Sequence, residues 1–271
     1  LDAPRRKEKM DKLPNFIFEN YSDLKIERDT EGWSPAEVYS VTTKKKRWFL
    51  KRSHTRYNKT TYNVRREKEI IEWAYPKFRV PQIIHYEEAK EYNSLLMNHI
   101  GGSSLEMLGP SITLEKYIDY YVQSLKLMQS INIENCPYNN CIKNRIIELE
   151  YLLENDLADI NSNNWEEDTR EHFRNGKDLF NYIVNNKPNE DLVFSHGDMT
   201  NSNIFIENEE VGFIDLGRCG LADKWVDIAF CVRDIREISN ENKWIKMLFD
   251  KLEIVPNWDK MRYYILLDEL F

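Results

Sequence analysis

At 271 residues, with 41% hydrophobic and 13% aromatic side chains, the chain is apolar enough to fold and long enough to bury a substantial core as one large domain or two lobes. No uninterrupted apolar run comes near the ~20 residues of a membrane helix, so no membrane partner is expected. A formal charge of −8 disfavours nucleic acid, whose phosphates select clustered Lys and Arg, and favours a cationic partner.

The basic start, LDAPRRKEKM, lacks the apolar core of a secretory leader, and residues 1–23 read as an N-terminal extension without an assigned role. From residue 24 to 51, LKIER, AEVYSV and RWFLK are short, partly alternating runs, separated by DTEGWSP and TTKKK, and predict a small antiparallel sheet. Thr60 to Ala74 turns helical, with Val64, Ile70, Ile71 and Trp73 on one rough face, until Pro76 stops it. QIIHYEE and YNSLLMNHI are two further strand candidates. GGSS at 101–104 then breaks the pattern and marks a boundary between an N-lobe, 24–99, and a C-lobe, 100–271.

Beyond the boundary the period is mostly helical. Leu114, Ile118, Val122, Leu125 and Met128 form one core stripe, and Ile142, Ile146, Leu149, Leu152 and Leu153 another. NDLADINSNNWEEDTREHF, rich in acid and amide, reads as a solvated loop. LVFSH, IFIEN and EEVGFIDLG are strand candidates, and residues 225–270 look helical again. Cysteines at 136, 141, 219 and 231 lack C-x-x-C spacing and are few for a disulfide scaffold, which predicts reduced thiols and a cytoplasmic protein.

The chemistry concentrates in SHGDMTNSNIF, residues 195–205. Asp198 and Asn203 fit D-x-x-x-x-N, and Asp215 follows 17 residues after Asp198 at the end of an apolar strand. In phosphoryl transfer one such Asp takes or orients the proton of an attacking hydroxyl, while the Asn and the second Asp offer hard oxygens to Mg²⁺. D-x-x-x-x-N alone is common in Asx-rich turns, but H-G-D-x-x-x-x-N followed by a strand and I-D-L-G is far more restrictive. His196 reads as a hydrogen-bonded scaffold residue beside the working Asp. Upstream, Lys51 ends a strand and Glu67 lies inside the following helix, in the order of the pair with which protein kinases grip the α and β phosphates. A G-x-G-x-x-G loop is missing. DTEGWSPAEVY stands in its place, with Gly32 alone and with Ser34 able to offer a hydroxyl and an amide.

SHGDMTNSNIF, GFIDLGRCGLADKWVDIAFCVRDI, DTEGWSPAEVY and YYILLDELF closely resemble the bacterial aminoglycoside O-phosphotransferases of the kanamycin 3′-phosphotransferase type, from about residue 24 to the last. The resemblance implies an α+β, protein-kinase-like two-lobed fold, with a small antiparallel-sheet N-lobe for nucleotide and a mainly helical C-lobe. It implies a monomer that uses ATP or GTP with Mg²⁺ to phosphorylate the 3′-hydroxyl of a cationic aminoglycoside antibiotic, conferring resistance. By the same resemblance, Asp198 is the catalytic base, Asn203 and Asp215 are metal ligands, and Lys51 with Glu67 grips phosphate. Ser34 would lie over the phosphates, Phe49 would stack on the purine, and backbone groups of Asn98 and Ile100 would read its edge. The aminoglycoside pocket would draw on Asn163, Glu166, Asn201, Asp268, Glu269 and the terminal carboxylate of Phe271. Asn163 and Asn201 stand where family members carry acids. Asp227 resembles the helix-borne Asp that ties down the catalytic loop. Two alternatives stay open on the residues alone: a kinase of another small hydroxyl compound, and a nucleotide-binding pseudokinase.

Overall fold

The structure, a computed structural model, describes Ile17 and residues 23–29, 34–158, 160, 163 and 165–271. The chain divides into two compact units, Leu1–Ile100 and Gly101–Phe271.

The first unit is built on a five-stranded antiparallel sheet of β1 (Lys25–Asp29), β2 (Glu37–Thr42), β3 (Arg47–His54), β4 (Ile83–Glu88) and β5 (Tyr92–Asn98), in the order β1-β2-β3-β5-β4. Alternation decides what each face carries. Tyr39 and Val41 of β2 and Trp48 and Leu50 of β3 turn to one side, where they form a buried cluster with Leu96 and Ile17. Ile17, from the segment expected to be an extension, is thus part of this core. The alternate residues of β3, Phe49, Lys51 and Ser53, turn to the other side. There the Ser53 hydroxyl accepts the amide of Val64 at 3.1 Å, which fastens the start of helix α1 (Val64–Ala74) to the strand. The helix begins later than Thr60 because Asn63 supplies the cap, its side chain accepting from the Arg65 amide, while the Thr60 hydroxyl donates back to the Tyr57 carbonyl. It ends at Ala74, as the residue before Pro76 is steered away from helical angles.

In the second unit GGSS does more than break a pattern. Ser103–Ser104 is a strand, β6, and the Ser104 hydroxyl caps the short helix α2 (Leu105–Leu108) by accepting from Met107. Gly102 has φ +72°, and a Cβ there would lie 2.1 Å from the Ile206 carbonyl oxygen, so only glycine fits. β6 pairs with β8 (Ile204–Glu207), which pairs with β9 (Glu210–Phe213). β7 (Leu192–Ser195) pairs antiparallel with β10 (Gly220–Asp223). Around these short sheets lie α3 (Leu114–Ser130), α4 (Ile142–Glu154), α5 (Glu167–His172), α6 (Gly176–Asn185), α7 (Trp225–Ile238), α8 (Asn242–Leu252) and α9 (Trp258–Asp268). The stripes behave as core: Ile118, Val122, Leu125, Met128, Ile142, Ile146, Leu149 and Leu152 are buried, whereas Leu114 and Leu153 at the ends are partly exposed. The acidic stretch is more than a solvated loop. Trp165 is 3% exposed, Thr169 is 2% exposed, and residues 167–172 form α5. No helix among the described residues is long and apolar enough to cross a membrane.

Candidate active site

In the first unit the lysine and the glutamate meet. Lys51 Nζ lies 2.9 Å from Glu67 Oε2, with side chains 12% and 3% exposed. Glu67 sits in the first turn of α1, where the positive end of the helix dipole supports a carboxylate. The Ser53 tie two residues along β3 holds helix and strand in register for this pair. Phe49 projects from the same face of β3, half-buried, with the Arg47 guanidinium 5.0 Å over its ring and His99 at 6.0 Å. The Asn98 amide donates to Gln82 at 3.0 Å, and the Ile100 carbonyl accepts from Arg79 at 3.0 Å. Ser34 is partly buried at a bend, and Gly32 lies outside the described residues.

In the second unit β7 delivers the chain into the H-G-D-x-x-x-x-N motif. His196 is fully buried, and its Nε2 donates to the Ile214 carbonyl at 3.0 Å, joining the end of β7 to the end of β9. Gly197 takes φ +78°, and any Cβ there would come within 2.4 Å of the Arg218 carbonyl oxygen. The buried Asp227 of α7 accepts both amides of this corner, His196 at 2.8 Å and Gly197 at 2.9 Å. Asp198 follows, mostly buried. Asn203 Nδ2 donates to its carbonyl at 2.9 Å and to its Oδ2 at 3.1 Å, while the Asn203 carbonyl accepts from Ile214 at 3.1 Å. That last bond sets Asn203 beside Asp215, a non-glycine residue in the left-handed region at φ 56°, ψ 56°, a strain typical of functional positions. Burial lifts the Asp198 pKa to about 6; Arg218 opposes the rise, and the charges of Asp268 and Asp215 add to it.

Asp198, Asn203 and Asp215 are therefore brought together. Because the Asn203 amide nitrogen is spent on Asp198, its hard oxygen and the Asp215 carboxylate make the donor set, one suited to Mg²⁺. No group of three or more His, Cys, Asp or Glu side chains that could cage a metal exists among the described residues.

The expected pocket residues gather in part. Asp268, at the end of α9, pairs with Arg218 at 2.7 Å and lies 3.6 Å from Arg233, which in turn is 3.9 Å from Glu166. Glu269 Oε1 accepts the Glu166 amide at 2.7 Å and the Thr169 hydroxyl at 3.1 Å. Burial raises the pKa of both Glu166 and Glu269, with Arg233 pulling Glu166 back. Phe271 is placed by Arg145 of α4, whose guanidinium lies 3.6 Å over its ring and 2.5 Å from Glu148. Asn163 is exposed, with its carbonyl accepting from Arg170 at 3.4 Å. Asn201 is drawn toward α7, its amide bonded to Asp234 at 2.8 Å. The sequence reading missed Arg218, Arg233, Arg145 and Thr169. Arg218 was findable, as it lies three residues past Asp215; nothing local marks the other three.

A carboxylate steadied by an asparagine amide, with a second aspartate just past β9, and a strand lysine locked to a helix glutamate are the parts of a phosphoryl-transfer enzyme with a protein-kinase-like fold. Residues 25–264 match the phosphotransferase enzyme family, and the chain belongs to it. It is 46% identical over 257 residues to the aminoglycoside 3′-phosphotransferase of Enterococcus faecalis, covering 94% of this chain and 96% of that one. It is also 46% identical to the aminoglycoside 3′-phosphotransferase of Staphylococcus aureus, over 94% of this chain and 95% of that protein. Among solved structures, the fold is shared with a type VIII aminoglycoside-3′-phosphotransferase at TM-score 0.76 and 21% identity, over 97% and 99% of the two chains.

Proposed function

We propose that the protein is an ATP-dependent aminoglycoside 3′-phosphotransferase, a resistance enzyme that moves the γ-phosphate of ATP to a sugar hydroxyl with Asp198 as the base. One observation carries the reading: the mostly buried Asp198 carboxylate is aimed by Asn203 beside Asp215, in a chain 46% identical to named aminoglycoside 3′-phosphotransferases. A pKa near 6 leaves Asp198 ionised at neutral pH, yet basic enough to take a proton as the acceptor oxygen attacks. Catalysis comes mainly from positioning and charge neutralisation, since phosphoryl transfer asks little covalent chemistry of a protein. Mg²⁺, held by oxygens of Asn203 and Asp215, neutralises charge on the phosphates when bound.

For the nucleotide, Lys51 holds phosphate oxygens with Glu67 fixing its ammonium, Ser34 lies over the phosphates and Phe49 stacks on the purine. With the Ile100 carbonyl committed to Arg79, the purine edge is read by the Ile100 amide and the Asn98 carbonyl. For the acceptor, Glu166, Asp268, Glu269 and the terminal carboxylate of Phe271 bind its ammonium groups, and Arg218 and Arg233 hold two of these acids in place. Amides at Asn163 and Asn201 contribute no charge and weaken the pull on the most cationic drugs. The working compartment in this reading is the cytoplasm, where the thiols of Cys136, Cys141, Cys219 and Cys231, which form no disulfide among the described residues, would stay reduced.

A coupled ADP-release assay over an aminoglycoside panel, with NMR location of the phosphate, tests the proposal. Release with kanamycin and neomycin, and a 3′-phosphate in the product, is expected. Release only with some other alcohol overturns the substrate, and full turnover by Asp198→Ala overturns the base.

A further inference from the structure

Helix α7 runs alongside the catalytic loop and holds it at three points. Asp227, Cys231 and Asp234 fall at steps of four and three, so they share one face of the helix. Their partners follow the loop in the same order. Asp227 takes the amides of His196 and Gly197, Cys231 Sγ donates weakly to the Met199 carbonyl at 3.9 Å, and Asp234 Oδ2 accepts the Asn201 amide at 2.8 Å. Asp198 is thereby bracketed, gripped before by one carboxylate and after by another. Asp234 is itself oriented. The same oxygen accepts the hydroxyl of Tyr121 from α3, and Tyr121 is packed edge-on against Tyr117 at 5.3 Å. Asp234 is 5% exposed and Tyr121 is fully buried, so the tether is sheltered from competing water. On the far side the Asn201 carbonyl accepts the Glu106 amide at 3.1 Å, completing the fixation of that peptide.

We propose that Asp234 is a positioning residue: it anchors Asn201 and so sets the geometry of the segment joining the base, Asp198, to the metal ligand, Asn203. The inference rests on the reading of Asp198 as the base. Asp234 touches neither reactant, so its removal lowers the rate of the chemical step and leaves nucleotide capture, which Lys51 and Glu67 serve, nearly intact. It also gives Asn201 a role unrelated to pocket charge, because the anchored group is its backbone.

Three variants test this. Tyr121→Phe keeps the Asp234 to Asn201 bond and serves as the control. Tyr121→Phe/Asp234→Ala deletes the tether together with the hydroxyl that would otherwise be orphaned. Asp234→Asn keeps one accepting oxygen. Each is assayed well below its melting temperature, with Asp234→Ser replacing the double variant should that not purify folded. The expected result is kcat within threefold of the parent for Tyr121→Phe and Asp234→Asn, and at least tenfold lower for the double variant, with KM for ATP changed less than threefold. A double variant as fast as Tyr121→Phe overturns the inference. So does Asp234→Asn falling as far as the double variant, or KM for ATP rising in step with the loss of kcat. Asp198→Ala assayed alongside separates the two readings: if it is inactive while the double variant is not, only the role of Asp234 fails.

Discussion

Replacing Asp198 with Asn should make the protein more stable while removing most of its turnover. Burial lifts the carboxyl pKa from 3.8 to about 6, so the folded state holds the proton more tightly than the unfolded chain does. Above pH 6 the group is ionised in both states, and the fold bears the cost of an ionised carboxylate kept from water. At about 1.4 kcal/mol per pH unit, that cost is about 3 kcal/mol. As pH falls below 6 the folded state takes up its proton first, and the cost shrinks to about 1 kcal/mol at pH 4.5 and vanishes below the unfolded value. An amide carries no charge and can still accept from Asn203. In buffer free of Mg²⁺ and nucleotide at pH 7.5, Asp198→Asn should gain about 3 kcal/mol, or roughly 6–12 °C in Tm for a unit of this size. Tryptophan-fluorescence melts at pH 7.5 and 4.5 measure both values. An unchanged or lower Tm at pH 7.5, or a gain that does not shrink on acidification, refutes the claim that an ionised, desolvated carboxylate is kept here at a cost to stability.

Glu67→Ala leaves the Lys51 ammonium mostly buried without its 2.9 Å partner and should cost about 3–5 kcal/mol, whereas Lys51→Met/Glu67→Leu should cost far less; urea unfolding of both variants checks the ordering. Both should bind ATP weakly, as read by titration calorimetry. Gly197→Ala would force a Cβ to within 2.4 Å of the Arg218 carbonyl oxygen at a φ of +78°, and should lower stability by at least ~1–3 kcal/mol and turnover at least tenfold. Asp268→Asn should raise KM for aminoglycosides about tenfold, the ~1.4 kcal/mol expected for losing one charged partner, while KM for ATP stays within twofold. Equal rises in both would take Asp268 out of the drug site.

What could be read from the sequence was what local pattern decides. Which side of β3 carries Phe49 and Lys51 was decided by the sheet, since Trp48, Phe49 and Leu50 stand together in the sequence, but the runs themselves marked β2 and β3 as strands in advance. The same holds for the stripes of α3 and α4. β10, with the sequence GLAD, has two apolar residues in four and exists because β7 offers it a ladder, which no local window contains. The acidic stretch misled for the same reason. Trp165 stands alone among acids and amides, and its neighbour Glu166 is secured by Glu269, 103 residues away. The residues expected to form an acidic pocket stand among cations, because carboxylates crowded at partial burial need opposite charges between them, and Arg218 and Arg233 supply these from other elements.

The loop between β7 and β8 shows where the two kinds of information meet. Its polar residues were conspicuous because a turn between two strands has no need of so many, and that excess drew attention to Asp198 and Asn203, while Asp215, beyond the loop, was read from the apolar strand that runs into I-D-L-G. What keeps the loop in shape lies elsewhere: α7 carries Asp227 and Asp234 seven residues apart, two helical turns that bring both carboxylates to one face. Spacing alone suggests a polar stripe, and a stripe of acids on a helix is ordinarily turned to solvent. Here it is turned inward, at 2% and 5% exposure, and desolvated carboxylates are tolerated only where donors meet them. The backbone amides of His196, Gly197 and Asn201 are those donors. The burial of the two acids and the fixed course of the loop are therefore a single constraint, and neither could be changed without disturbing Asp198 between them.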